Sequence, residues 1–242
     1  MRNLLTLLSV ILISNLAHAY GSGSQATWSL GAFGGIATTN QSDLNTLITR
    51  ANTRVGGIST PQFGNAWEFG GYIERRLNAS IVALQIRPSY MTNSANGTGS
   101  GGSYNYSVSG FAIAPLIRLY ILESSGIKLY VEGGINWGSL TGKIQEAGAT
   151  TTFSGSNFGY QGGIGVDFCF GARSQHCIWG NGGARYLSID RNIASDASGT
   201  FSSGANASLS QAGKGLETEI DGHDLATTMS GFIALLGYKY NL

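Results

Sequence analysis

The sequence predicts an all-β fold, a transmembrane eight-stranded antiparallel up-and-down β-barrel preceded by a cleaved leader. Three observations predict it. Eight segments alternate apolar and polar residues with the period of a strand. The connections between them alternate long and short. Charged residues make up only 11% of the 242 positions, against about 25% in an ordinary soluble domain.

The leader comes first. Arg2 precedes an apolar run from Leu4 to Ile13, and Ala17-His18-Ala19 supplies a small-x-small cleavage site. Residues 1–19 therefore read as a secretory signal peptide, and 20–242 as one mature barrel domain. The run is too short to span hydrocarbon as an anchor. Loss of Arg2 leaves 13 basic and 13 acidic residues from the original 14 and 13. No electrostatic footprint for nucleic acid exists.

The strands follow in order. Trp28, Leu30, Ala32 and Ile36 share one face of the first, with Ser29, Gly31, Gly35 and Ala37 on the other. Trp67, Phe69, Gly71 and Ile73 oppose Glu68, Gly70, Tyr72, Glu74 and Arg76. Val82, Leu84, Ile86 and Tyr90 oppose Ala83, Gln85, Arg87 and Ser89. Phe111, Ile113, Ile117 and Leu119 oppose Ala112, Ala114, Arg118 and Tyr120. Leu129, Val131, Ile135 and Trp137 oppose Lys128, Tyr130, Glu132 and Asn136. Tyr160, Ile164, Val166, Phe168 and Phe170 oppose Gln161, Gly163, Gly165 and Asp167. The seventh, near Cys177 to Ser188, has the faintest pattern. The eighth sets Phe232, Ala234, Leu236, Tyr238, Tyr240 and Leu242 against Gly231, Gly237, Lys239 and Asn241. Pro88 and Pro115 fall inside strands, where each removes a ladder hydrogen bond that a bulge could absorb.

The expected long connections are 39–64, 92–104, 139–156 and 189–226, and the short ones 77–80, 122–126 and 171–176. Outer-membrane barrels pair long outer loops with short periplasmic turns in this way. A lipocalin-like soluble barrel would also alternate, with its apolar face inward. Bulky aromatics near strand ends (Trp28, Trp67, Trp137, Tyr90, Tyr238) argue instead for interfacial girdles on an apolar outer face.

The opposite face is then the lumen. It carries Glu68, Glu74, Glu132 and Asp167 with Arg76, Arg87, Arg118, Lys128, Arg185 and Lys239. An eight-stranded interior is just wide enough for side chains to fill, and buried charges there must pair. A salt-bridged plug is expected, with a conducting pore as the alternative. In the oxidising compartment a signal peptide implies, Cys169 and Cys177 can form a disulfide. Their numbers sum to 346, so a hairpin centred on Arg173 sets them directly opposite each other on one face. A non-hydrogen-bonded pair brings such Cα atoms to about 4.5 Å, which a disulfide accepts.

The ending Phe232-Ile-Ala-Leu-Leu-Gly-Tyr-Lys-Tyr-Asn-Leu242 resembles the C-terminal signature strand of outer-membrane proteins, with Leu242 where that strand usually ends in Phe. Together with Ile113-Ala-Pro-Leu-Ile-Arg-Leu-Tyr120 and Tyr130-Val-Glu-Gly-Gly134, it makes the mature chain similar to the OmpA- and opacity-like superfamily of small eight-stranded barrels. The resemblance implies recognition by the barrel-assembly machinery and residence among outer-membrane lipid. It also implies a lumenal ion-pair network.

The connections carry the remaining motifs. Within Ser42 to Val55, Leu44, Leu47, Ile48, Ala51 and Val55 form one helical stripe, with Ser42 as N-cap. So short a helix must dock, on the barrel rim or on a partner or lipid. Glu217, Glu219, Asp221, His223 and Asp224 gather oxygen ligands suited to Ca²⁺, or simply form a solvated loop. His223 as a general base would resemble lipid-A-deacylating barrels, but Ser230 lies seven residues on and no His-x-Ser arrangement occurs. Gly162-Gly-Ile-Gly-Val-Asp167 matches one unit of a calcium β-roll without tandem neighbours. The sequence thus points to a non-enzymatic, cofactor-free cell-surface barrel with a plugged lumen and loops that meet an unknown surface ligand. The alternatives are an OmpW-like, porin-like small-molecule pathway and a lipid-modifying enzyme.

Overall fold

The computed structural model describes residues 28–77, 81–99, 102–171, 174–199, 201, 215, 217–220 and 222–242. The expected leader, Arg173 and Asp221 lie outside them. The elements run β1 (Trp28–Ala37), α1 (Ser42–Arg54), β2 (Ala66–Arg76), β3 (Val82–Gly99), β4 (Gly102–Glu123), β5 (Ile127–Glu146), β6 (Ala149–Phe170) and β7 (His176–Tyr186). Four short strands follow, β8 (Ser188–Ile189), β9 (Ile193–Ser198), β10 (Glu219–Ile220) and β11 (His223–Asp224), then β12 (Thr227–Thr228) and β13 (Gly231–Asn241).

Eight of these strands close a ring. Neighbours pair antiparallel from β1 through β7, then β7 with β13, and β13 returns to β1. A transmembrane up-and-down barrel has no free edge, so every spanning backbone group finds its partner within the protein. Carried once round the registers, position 31 passes through 72, 87, 114, 136, 159, 187 and 229 and returns at 41. That stagger of ten residues over eight strands sets a tilt of about 40°. A ten-residue strand at this tilt then rises about 25 Å, the height of an outer-membrane apolar band.

The alternating faces fall as the sequence indicates. Trp67 is 64% exposed and Phe232 75%, and the exposed large apolar side chains include Leu30, Ile73, Ile117, Ile164 and Leu236. Glu68, Tyr72, Arg87, Arg118, Glu132, Asp167, Trp179 and Lys239 are buried.

Two of the four expected long loops are not loops. Residues 92–99 and 102–104, and likewise 139–156, continue the strands as tall hairpins, β3–β4 and β5–β6, whose outermost register pairs are Gly99–Gly102 and Glu146–Ala149. The inward positions are mostly apolar, with Ala95, Tyr104, Tyr106, Val108, Leu140, Ile144 and Phe153 buried, beside Glu146, whose carboxylate accepts from the Tyr106 hydroxyl at 3.0 Å. Only the outward positions change, from large apolar residues to Ser, Thr and Asn. The period of two persists, but the apolar face that marks a lipid-facing strand is gone. The barrel wall is therefore uneven: β3–β6 have 18–22 residues, while β1, β2, β7 and β13 have 10 or 11.

The low side of the wall is filled from within. α1 buries Leu44, Leu47, Ile48 and Ala51 in one apolar cluster with Tyr106, Leu140, Phe153, Leu225 and Met229. The expected stripe thus docks on the barrel itself. The N-cap is Gln41, not Ser42, which is the first helical residue and points its hydroxyl at Asp43. Gln41 is used otherwise: its amide bonds Thr228 O at 2.6 Å and its carbonyl oxygen accepts Thr228 N. Asp43 accepts the N–H of Ala226. These bonds tie the first and last long connections together.

The prolines cause no bulge. The β2–β3 pairing omits the rungs at 71–72 and 87–88, and the β4–β5 pairing omits those at 114–115 and 135–136, yet the register on either side is unchanged. The shift in register lies instead between Tyr120 and Leu122.

Cys169 and Cys177 form a disulfide with Cα atoms 4.0 Å apart, and they are direct register partners. The bond also reaches the closing strand, because Asn241 Nδ2 lies 3.4 Å from Cys177 Sγ and donates to Ser174 O at 2.7 Å. Reducing it should destabilise the folded barrel by about 2 kcal/mol, as a short-loop cross-link implies. The check is thiol labelling: both cysteines should resist alkylation in unreduced protein, and a non-reduced digest should contain the 169–177 link.

Candidate functional site in the lumen

The lumen gathers its charges at three heights. At the long-connection end, Arg185 grips Glu68 through two parallel bonds of 2.9 and 3.0 Å. Its Nε donates to Met229 O at 2.8 Å, which fastens the last connection to the wall. Such bidentate pairs fix geometry as well as charge.

The middle level is a continuous chain. Arg87 Nη2 meets Glu132 at 2.7 Å, and Arg118 Nη2 meets the same carboxylate at 2.9 Å. Arg118 Nη1 lies 2.8 Å from Glu74, whose other oxygen is 3.1 Å from Lys239 Nζ. Lys239 ends the chain on Asp167 at 2.6 Å. Three cations and three anions alternate, so this level is neutral. Tyr120 supports it, donating to Glu74 at 2.7 Å and accepting from Lys239 at 2.9 Å. The Arg118 guanidinium also lies 3.7 Å from the centre of the Tyr130 ring.

At the tight-turn end, Arg76 holds Glu123 at 2.7 and 2.5 Å, and Lys128 joins it at 3.1 Å. Glu123 is the lumen residue that sequence reasoning missed. Parity from Arg118 and Tyr120 would turn 122 inward and 123 outward. The register shift after Tyr120 reverses this, leaving Leu122 exposed and Glu123 inside. The signal available was a surplus of two cations: six expected lumenal bases faced only four acids. Of the ten charged positions expected there, nine are buried and Lys128 is nearly so; Glu123 joins them at this end, and Glu146, also buried, lies higher among the tall hairpins.

The aromatic filling obeys a rule that needs the register to be seen. Tyr72 lies over Gly31, Tyr130 over Gly165, Trp179 over Gly237 and Phe153 over Gly142, and each pair is directly opposed on neighbouring strands. A Cβ at Gly31 would stand 2.3 Å from the Tyr72 ring, and one at Gly142 2.2 Å from the Phe153 ring. The glycines are sockets for rings from the next strand, the arrangement known as aromatic rescue.

The other candidates separate. Glu217, Glu219 and Asp224 place carboxylate oxygens within 4.8 Å of one another, and Arg191 pairs with Glu217. His223 is not in that group; its ring rests on the carbonyl of Asp224. The Ser230 hydroxyl accepts the N–H of Leu187, so neither residue bonds the other. Gly162 to Asp167 is an ordinary stretch of β6.

No protein-family model matches the sequence, and no curated protein matches it. Solved structures do match. The outer membrane protein OprG from Pseudomonas aeruginosa aligns over 90% of this chain and 97% of its own, at a TM-score of 0.51 and 12% identity. A major outer membrane protein from Thermus thermophilus aligns over 89% of this chain and 99% of its own, at 0.50 and 9%. This chain has the fold of a small outer-membrane β-barrel. At such identities the likeness concerns architecture. The barrel's lumenal chain of charges is read from its own side chains.

Proposed function

We propose that this protein is a resident outer-membrane barrel without catalytic activity, closed along its lumen, whose long connections form a folded cap at the cell surface. The observation that carries the reading is the two-storey filling. Below, eleven charged side chains occupy the lumen as one pair, one chain of six and one group of three. Above, α1 and the described part of the 187–230 connection bury a continuous apolar cluster with the tall hairpins. Breaking one member of a buried ion pair costs about 3–5 kcal/mol, so thermal fluctuation alone does not clear a path. The surface the cap offers to a partner is the polar side of α1, including Thr46, Thr49 and Thr53, all exposed. The three threonine hydroxyls are committed to carbonyls one turn back.

The same reading places the tight turns in the periplasm and the cap outside. In a planar bilayer the purified protein should show no steady large conductance, and Glu132→Ala should admit current by unpairing Arg87 and leaving Arg118 to Glu74 alone. A reproducible open channel in the unaltered protein would refute the plug. Insertion itself is checked by gel: unboiled and boiled samples should migrate differently, and recovery as a detergent-free soluble protein would end the assignment.

A further inference from the structure

The outward side of the tall hairpins above the apolar belt is a second surface with a composition of its own. Its lowest full row is Thr92, Ser109, Thr141 and Ser154, register partners across β3, β4, β5 and β6. The third row is Asn96, Asn105, Gln145 and Thr150. The row between is hydroxyl-bearing apart from Lys143. Twelve positions in three rows of four thus carry one charge. Neighbouring strands lie about 4.8 Å apart and same-face residues about 6.7 Å, so the rows form a regular grid. Among the described residues these twelve side chains make one hydrogen bond with the rest of the protein, Gln145 Nε2 to Ser103 Oγ at 3.3 Å.

We infer that this grid is a docking face for the sugar portion of glycolipid headgroups in the leaflet that surrounds the barrel. Location gives the first reason. Below the grid lie exposed lipid-facing rings in two successive rows, Tyr90 and Phe111 on β3 and β4 and, one row lower, Trp137 and Phe158 on β5 and β6. What stands above acyl chains in the same leaflet is their headgroup, and the face is continuous with the apolar belt. Chemistry gives the second. Ser, Thr, Asn and Gln each donate and accept, as sugar hydroxyls do. A headgroup phosphate would call for clustered Arg or Lys, and the grid has a single Lys, with the carboxylate of Asp196 on β9 beside Thr152 at its edge. A face exposed only to water would carry charges at about one position in four. The exposed rings beneath add flat apolar platforms against which sugar C–H groups can pack.

This inference rests on outer-membrane residence, and its test separates the two. The barrel is inserted into phosphatidylethanolamine–phosphatidylglycerol vesicles containing either a lipooligosaccharide with its full core or the same lipid stripped of core sugars. Glycolipid retained on the extracted protein is then weighed by native mass spectrometry. Retention of the full-core form should exceed the stripped form about tenfold, as a few net hydrogen bonds imply. The triple variant Asn105→Ala, Ser107→Ala, Thr141→Ala should lose that preference while keeping the gel shift of a folded barrel. Equal retention of the two glycolipids would overturn the inference. So would a preference abolished by removing phosphates and indifferent to the sugars. Displacement by free core oligosaccharide at equal concentration would reassign the face to soluble glycans. Failure to insert, visible as a missing gel shift, would overturn the underlying residence as well.

Discussion

Arg118→Ala should destabilise the barrel by about 3–5 kcal/mol, because it removes the cation shared by two buried carboxylates and leaves Glu132 with Arg87 alone and Glu74 with Lys239 alone. Arg118 is fully buried and lies between Glu74 and Glu132. Arg87 and Lys239 would remain, one beyond each acid, and neither can replace a group that touches both. Arg118 also covers the Tyr130 ring, so truncation opens a cavity as well as a charge gap. The measurement is a urea titration in vesicles followed by the folded-to-unfolded gel shift. Adding Glu74→Gln, Glu132→Gln and Arg87→Met to Arg118→Met should recover most of the loss, since it leaves Lys239 paired with Asp167 and a neutral level of similar volume, which removes the desolvation cost with the charges. A single-variant change below about 1 kcal/mol would mean that the chain of ion pairs is solvated and not a sealed core.

Gly31→Val should be nearly as damaging, at about 3 kcal/mol, through overpacking. The added carbons would enter the Tyr72 ring, and that ring cannot retreat, because Trp179 stands behind it with ring centres 5.4 Å apart. Tyr72→Ala in the same chain should restore part of the stability, and the pair should be strongly non-additive in a double-mutant cycle. A comparable change at Gly34, which faces outward with open space around its Cβ position, should be almost silent. Equal effects at positions 31 and 34 would show that glycine matters there for reasons other than the ring.

The fold was legible because its two strongest signals are local. Alternation and the spacing of connections belong to the chain itself, and the cysteine pair followed from counting across one turn. The lumen charges were legible for the same reason, since parity alone assigns a side to each. What escaped was whatever depends on neighbouring strands. Glu123 is inside only because of a one-residue slip against β5. The glycine sockets at 31, 142, 165 and 237 exist only once the registers are known. The hairpins at 92–104 and 139–156 escaped for another reason: outside the lipid, an outward Ser or Thr looks the same in a strand as in a loop. Gln41 took the cap position of α1 while bonded to Thr228, 187 residues away, and no local rule reaches that far.

Pro88 and Pro115 have a consequence for motion. They lie on adjacent strands at nearly one height, and each faces away from the other's strand. The β3–β4 hairpin, itself joined by eighteen unbroken register pairs from Val82–Leu119 to Gly99–Gly102, is thus flanked on both long sides by a ladder with missing rungs. Backbone connections to the rest of the ring are weakest along those two seams, so the hairpin can breathe as one cooperative block while the wall elsewhere stays shut. The side chains that span the seams are the charged ones. Arg118 reaches from β4 to Glu74 on β2 and Glu132 on β5, and Arg87 reaches from β3 to the same Glu132. Electrostatic stitching thus stands in for the amide hydrogens that proline withholds, and the rate at which this part of the wall loosens is set inside the lumen.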